Sequence, residues 1–401
     1  MTAASDQWGH SVELNKNGYV YERFELQLSK VLACSNGRQV HDNLVWNEKQ
    51  RYVAYSIQNI IVIESLNQEK TQKLLKEGND PIFRIMMSPN KSFLLSYSRT
   101  GPIDGFPCVF IFDSVTLKKV NQIAISDAQI DSVKFSARSN MLLVVSSTRQ
   151  GDDHVTSTLT VWDFLDGHKD IFCKSMIPIA IKDSCWNPYI QKNADEFVTI
   201  SDRCYHYWRI TENLQLQYQE GDLPKKDTEG FKDKTDMFTT VAFVEPNLFH
   251  HSVFLLIGLK SGYVWLADTR VNQYLFNVKV LDAASGGIRK IFSSHQRIVI
   301  ETENSPRIHC WDQSGRNEDD EYSAYNPDNF FIGKETTLSI DGETKASSYD
   351  DTGNQLIVLS TSGSIWYLNW IEDATIRLKS CHNPYKQILC ADYKYVSPNE
   401  F

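Results

Sequence analysis

No apolar run in this sequence is long enough to cross a membrane: the longest, such as VFLLIGL from Val253 to Leu259, hold about seven residues where a spanning helix needs ~20. The N-terminus, MTAASDQWGHSVELNKNGYVYER, lacks the apolar h-region of a secretion signal, so neither signal peptide nor membrane span is expected. Basic excess is also lacking. Lys and Arg total 41 against 50 Asp and Glu, a net charge of -9, and the charges are interspersed. A nucleic-acid binder would need a basic stripe to displace counterions, so that class is set aside. Glycine (19) and proline (12) are too sparse for a fibre or a linker-rich chain. The eight cysteines (Cys34, Cys108, Cys173, Cys185, Cys204, Cys310, Cys381 and Cys390) never form C-x-x-C, and most lie in strand-like segments. They read as reduced thiols of a cytosolic compartment. What is abundant is apolar and aromatic: 41% hydrophobic and 12% aromatic residues, enough for a core and a composition that favours pleated, half-buried strands.

A unit recurs every 40 to 50 residues or so. It consists of a short strand, a polar turn, a strand ending in Ser or Thr, another turn, and a strand ending in an aromatic-acid pair. Clear copies run from Ile82 to Asp113, Ile130 to Phe164, Asp183 to Ile210, Phe238 to Asp268, Ile288 to Asp312 and Thr344 to Trp370, and a weaker one from Asn43 to Ser65. The third strand of the second clear copy, LTVWDF, is nearly apolar throughout, as expected when both faces are covered. One such sheet exposes two apolar faces and cannot stand alone; packed radially, seven bury one another. The predicted fold is therefore all-β, a seven-bladed β-propeller over residues 24–380, with an N-terminal extension (1–23) and a strand-like C-terminal tail (381–401).

Turn chemistry fits this reading. Ser88-Pro89-Asn90-Lys91 and Asp350-Asp351-Thr352-Gly353-Asn354 join first to second strands; Lys260-Ser261-Gly262 and Thr361-Ser362-Gly363 join second to third, with Gly available for positive φ. Arg99 to Pro107 and Arg149 to Thr156 read as long inserts between second and third strands, projecting on the rim shared with the fourth-to-first-strand loops. Two further inserts are Glu220 to Asp236, a solvated loop of four Lys and six acids, and Asn317 to Gly333, acidic and then aromatic. Phe24 to Ala33, FELQLSKVLA, has strand composition and is expected to close the ring from the N-terminus, with Thr375 to Ser380 as the rival for that position. Lys386 to Pro398 reads as the first strand of a further blade. Trp366 and Trp370, in the alternating strand IWYLNW, are expected to support the last blade.

At Trp162-Asp163 and Trp311-Asp312, with Phe112-Asp113 as a variant, the repeat resembles the WD repeat. The Gly-His that usually precedes the first strand is missing from nearly every copy: Gly167-His168 follows a third strand instead, and only Cys381-His382 stands in place. The Asp-His-Ser-Trp network of strong repeats therefore cannot assemble in most blades, which throws more of the stabilisation onto apolar packing. The segments NLVWNEKQRYVAYSIQNIIVIES, VFIFD, LTVWDF and DSCWNPYIQKNADEFVTISDRCYHYWRI resemble the N-terminal propeller of echinoderm microtubule-associated protein-like proteins and their ciliary and centriolar WD-repeat relatives. DDTGNQLIVLSTSGSIWYLNWIEDATIRLKSCH resembles the end of the first propeller in large centriole-wall members. The resemblance implies a non-enzymatic scaffold on a microtubule-based assembly, cilium and axoneme or centriole and basal body, in the cytoplasm and cytoskeleton. A generic adaptor in a ubiquitin-ligase or trafficking complex is the alternative.

Catalytic features all have blander readings. His250-His251 point to opposite faces if in a strand, Asp350-Asp351 sit where a turn needs Asx residues, and Ser285-Gly286-Gly287 has no phosphate-loop context. G-x-S-x-G and H-E-x-x-H are absent. The sequence thus predicts no enzyme, no cofactor, no metal site, no nucleic acid and no membrane. Its expected partners are tubulin-associated ciliary or centriolar proteins, met on the loop rim by Arg99, Asp104, Arg149, Asp152, Asp153, Arg203 and Lys260. A chain of this charge has no long-range attraction for acidic tubulin, so docking there must rely on shape and mixed pairs.

Overall fold

The computed structural model describes residues 43–379 apart from short stretches, the longest being 222–235, 245–253, 280–285 and 313–332, together with strands at 11–14 and 20–23. Among the described residues every regular element is a β-strand. Ser11–Leu14 and Val20–Arg23 pair antiparallel within a small unit of their own, residues 1–32.

From residue 43 onward the described strands form seven four-stranded antiparallel sheets, each made of four consecutive strands. The first contains Leu44–Asn47, Tyr52–Ile57, Ile60–Ser65 and Gln72–Lys76, and the second Ile82–Met87, Phe93–Ser98, Cys108–Asp113 and Lys119–Ala124. The third has Gln129–Phe135, Met141–Gln150, His154–Asp163 and Ile171–Ile177, and the fourth Asp183–Trp186, Glu196–Ile200, Tyr205–Ile210 and Leu216–Glu220. Phe238–Val244, Phe254–Leu259, Tyr263–Asp268 and Gln273–Lys279 make the fifth; Ile288–Ser293, Arg297–Thr302, Arg307–Asp312 and Gly333–Thr337 the sixth. Thr344–Tyr349, Gln355–Ser360, Ile365–Asn369 and Ala374–Lys379 complete the seventh.

Burial follows strand order. The second strand of the fifth sheet, FLLIGL, is buried at every position, whereas the fourth strand of the fourth sheet, LQYQE, is exposed at all but its first. First strands of neighbouring sheets lie side by side, so they line the centre and fourth strands face outward. From the first sheet through to the seventh, successive sheets share apolar clusters: Leu95 and Tyr97 of the second sheet meet Ile130 and Val133 of the third, and Val161 of the third meets Trp208 of the fourth. Burial of this kind contributes about 25 cal/mol per Å² of apolar surface and drives the stacking.

The circle closes between the seventh sheet and the first. The Trp46 amide donates to Ser348 Oγ at 3.0 Å, the Trp46 ring lies edge-on to Tyr367 at 6.0 Å, and Lys91 in the second sheet's first turn reaches Asp351 at 3.5 Å. The outermost strand of the seventh sheet is Ala374–Lys379, with Leu368 opposite Thr375. The rival reading of the closing strand therefore holds: a strand following directly on its neighbour completes the sheet with a very short loop, which costs little closure entropy. Phe24 to Ala33 lies outside the described residues.

Arg149, Gln150 and His154 to Thr156 belong to strands and not to a loop insert. The second and third strands of the third sheet run on as a ten-residue ladder to Gln150 opposite His154, because Thr148, Val155 and Thr156 are β-branched and extend the pairing. Between Ser98 and Cys108 a true connection remains, bridged to the next sheet by Thr100 and Gln129. The tight turns follow their residues: Gly262 and Gly363 take φ of 88° and 84°, and Asp350 is the expected Asx turn, accepting from Thr352 Oγ1 at 2.5 Å and the Gln355 amide at 2.9 Å. Trp366 and Trp370 are half-buried and pack on the cluster of Tyr349, Leu356 and Val358. Trp162 Nε1, in the most WD-like strand, has no acceptor, and its ring packs on the second-to-third-sheet cluster. Trp208 Nε1 donates to Thr199 Oγ1 at 2.9 Å, retaining one piece of the polar network.

Candidate interaction rim and channel

Arg99, Arg149, Arg203 and Lys260 all lie where a second strand hands over to a third, and alternation of strand direction puts these turns on one rim of the ring. Arg99 is about half-exposed, 49%, with its guanidinium 3.9 Å from Asp131 and 5.3 Å from the Phe83 ring centre. Arg149 is exposed on the extended ladder opposite Val155. Burial raises the Asp131 carboxyl above its ordinary range; hydrogen bonds from Ser147 and Gln129 and the charges of Arg99 and Arg149 oppose this without cancelling it. Arg203 is exposed in the Ser201–Cys204 turn beside Asp202, which pairs with Lys182. Lys260 is exposed, held by its amide to Met237 O at 2.9 Å; a Cβ on Gly287 would sit 2.9 Å from the Lys260 carbonyl oxygen, so glycine permits that close approach. Asp104, Asp152 and Asp153 lie outside the described residues.

A cavity of about 800 Å³ opens among the first strands of the second to sixth sheets. Its charged lining comprises Arg84, Lys134, Lys182, Arg289 and Lys290 against Asp183 and Glu303, a local basic excess in an acidic chain. Most of these cations join one sheet to the next. Lys134 meets Asp183 at 3.0 Å, while Asp183 also accepts from Thr240 Oγ1 at 3.1 Å. Lys290 donates to Ser347 O at 2.8 Å, and Arg289 to Lys345 O at 2.6 Å. Behind them, buried Glu301 accepts from Arg289, Ser347 Oγ and Tyr349 Oη together. Burial, and then the Glu301 charge, raise the Tyr349 phenol far above its usual value, so it remains a donor. Lys134, Arg289 and Lys290 thus act as cross-sheet staples in the channel, while exposed charge also stands on the rim.

Several described carboxylates have structural roles. Glu196 ties Arg209, at 2.8 Å, to Tyr207 and Asn187, and Asp113 caps the turn at Thr116. Cys173 and Cys185 are free thiols pushed by burial to about 12 and about 11, so neither is a poised nucleophile. His250 and His251 lie outside the described residues. Sequence reasoning missed two groups. Glu301 was hidden because its partners are distant in the chain, at positions 289, 347 and 349. The other is Cys204, His206 and Glu220, whose ligand atoms all lie within 4.8 Å of one another. Its signal was the Cys-x-His spacing at the start of a strand, which puts both side chains on one face.

No protein-family model matches the chain. It is 22% identical to human WD repeat-containing protein 90 over 89% of its own length, 21% to that of Xenopus tropicalis over 86%, and 22% to that of Mus musculus over 90%. Among solved structures, it resembles the Cps50 (Swd1) β-propeller domain of Myceliophteria thermophila, with TM-score 0.52 and 15% identity over 73% of this chain and 84% of that one. It also resembles Saccharomyces cerevisiae Sqt1, with TM-score 0.56 and 12% identity over 86% and 85%. The chain has a β-propeller fold and is similar to WD-repeat proteins. It spans only 19%, 17% and 18% of the three curated relatives' lengths, about a fifth, so the similarity concerns a small part of much longer proteins. Nothing in it singles out the echinoderm microtubule-associated protein-like group.

Proposed function

We propose that this WD-repeat propeller, with its seven sheets as blades, is a non-enzymatic interaction module of a microtubule-based assembly, either cilium and axoneme or centriole and basal body, and that it joins through partner proteins. One observation carries the reading of the surface: Arg99, Arg149, Arg203 and Lys260 stand exposed on one rim while three of the channel cations, Lys134, Arg289 and Lys290, are committed to neighbouring sheets. Loops on a rigid scaffold are where binding residues concentrate. The rim mixes charges, with Asp202 and Glu303 among the cations, which suits a protein surface of matched sign pattern better than a uniformly acidic lattice. The microtubule context rests on the blade-specific sequence resemblance, and the relatives named WD repeat-containing protein 90 agree with the repeat family. The test is co-sedimentation. The purified chain is expected to pellet weakly with plain microtubules at physiological salt and to remain with salt-washed axonemes or centrioles that retain accessory proteins. Arg149→Glu with Arg203→Glu should release it without changing its melting temperature. Tight, saturable binding to bare microtubules would refute partner dependence, and absence of a tagged chain from cilia and basal bodies would remove the assignment.

A further inference from the structure

Beside Arg203, on the fourth sheet, three donors of different chemistry converge. Cys204 immediately precedes the third strand and His206 is its second residue, so the two side chains share one face; the strand register sets Glu220 directly opposite His206. The geometry is pinned on both sides. The Gly221 amide donates to Tyr205 O at 2.9 Å, and a Cβ on Gly221 would fall 1.8 Å from Tyr205 Cζ, so the chain after Glu220 lies flat under that ring. The Ser201 amide donates to Cys204 O at 2.9 Å, and Ser201 Oγ lies 2.8 Å from Cys204 Sγ, fixing the turn that presents the thiol. His206 is 4% exposed, its ring held edge-on to Tyr218 at 5.0 Å, yet its buried Nδ1 has no hydrogen-bond partner. An unpaired buried imidazole nitrogen is costly, and a nitrogen of this ring lies within 4.8 Å of both a thiol sulfur and a carboxylate oxygen.

We propose that Cys204, His206 and Glu220 form a zinc site, with a water in the fourth position. Thiolate, imidazole and carboxylate are the donor types zinc accepts, and one thiolate with one carboxylate neutralises a divalent ion. Bond lengths of about 2.0–2.3 Å require tetrahedral donors roughly 3.5 Å apart. Any donor pair near the 4.8 Å limit must therefore draw in, and Glu220, exposed at the end of its strand, is the donor best placed to shift. The half-buried thiol and exposed carboxylate leave a side open to solvent, the geometry of three protein ligands and an open position. Binding releases the thiol proton to solvent and changes no oxidation state.

The test uses the full chain, stripped with chelator under reductant and titrated with Co²⁺. One equivalent should bind with the intense ultraviolet absorption of sulfur-to-cobalt charge transfer and the visible bands of a tetrahedral ion, and Zn²⁺ should bleach both. Cys204→Ser should abolish the charge-transfer band, and Glu220→Gln should weaken uptake at least about 10-fold, the lower end of what even an outer-shell change does. Cys185→Ser should alter neither. Glu220 is exposed, so its variant remains informative if His206→Gln fails to fold. No stoichiometric uptake, or a charge-transfer band that survives Cys204→Ser, would overturn the proposal.

Discussion

Glu301→Ala removes the one carboxylate that meets Arg289, Ser347 and Tyr349 at once, across the interface between sixth and seventh sheets. The Glu301 and Arg289 side chains are 3% and 9% exposed, so the guanidinium left behind keeps its bond to Lys345 O but loses its carboxylate in a site closed to water, and two hydroxyls lose their acceptor. Breaking a buried pair from one side costs about 3–5 kcal/mol. Unfolding entropy of about 2.1 cal/mol/K per residue over residues 43–379 amounts to roughly 0.7 kcal/mol/K, which turns that loss into a melting temperature lower by about 4–7 °C. Circular dichroism melts of the purified chain measure it. The double variant Arg289→Met with Glu301→Leu removes both charges and keeps apolar volume, so it should recover most of the loss. A single variant that melts within about 1 °C of the parent, or a double variant as unstable as the single, would refute the account of Glu301 as an inter-sheet clamp.

Trp208→Ala deletes a fully buried ring stacked on Phe197 and hydrogen-bonded to Thr199; a loss of about 3–5 kcal/mol is expected in urea titration, and a change below ~1 kcal/mol would contradict the packing. Gly258→Ala would place its Cβ 2.6 Å from Ile288 Cγ2 and 2.9 Å from Thr240 Cγ2, prying the fifth and sixth sheets apart at a cost of about 1–3 kcal/mol in the same assay. Asp131→Asn should stabilise the protein near neutral pH. The folded-state carboxyl is raised, so the unfolded chain ionises first and wild-type stability falls as pH rises from the ordinary carboxylate value through the raised one. Melts at pH 7 should favour the Asn variant, with the difference shrinking once both states are protonated; a variant less stable at pH 7 would show that the Asp131–Arg99 contact outweighs desolvation.

Strand positions were legible because each repeat announces itself through local residues: apolar alternation, a Ser or Asx turn, and a Gly at positive φ. The segment from Ile82 to Asp113 falls within the first three strands of the second sheet, and that from Thr344 to Trp370 coincides with the seventh sheet's first three. Fourth strands were harder, because LQYQE and KVNQIA are mostly exposed and carry no apolar pattern. That is also why Ala374–Lys379 was outweighed by the more apolar Phe24 to Ala33. Length between strands misled at Arg149, where the extra residues lengthened a ladder. Rim residues could be placed from repeat phase alone, since handover turns must fall on one side. Contacts that depend on which sheets become neighbours were invisible: Glu301 reaches residues 46 and 48 positions away, and Glu220 meets His206 only through strand register.

The way this ring closes has a mechanical consequence. Every described sheet is assembled from consecutive strands, and the described contacts between the first and seventh include a ring edge and an amide-to-hydroxyl bond, with the Lys91–Asp351 pair of the second and seventh sheets nearby. The seam is a clasp between two finished sheets. Among the described residues, parting it breaks no backbone ladder and strands no half-built edge, so the ring is expected to open and reclose without refolding either sheet. Under tension the first event would be a reversible widening at this joint, resisted by wetting of Trp46 and weakened by salt through the exposed Asp351. Higher forces would be needed to strip any sheet strand by strand.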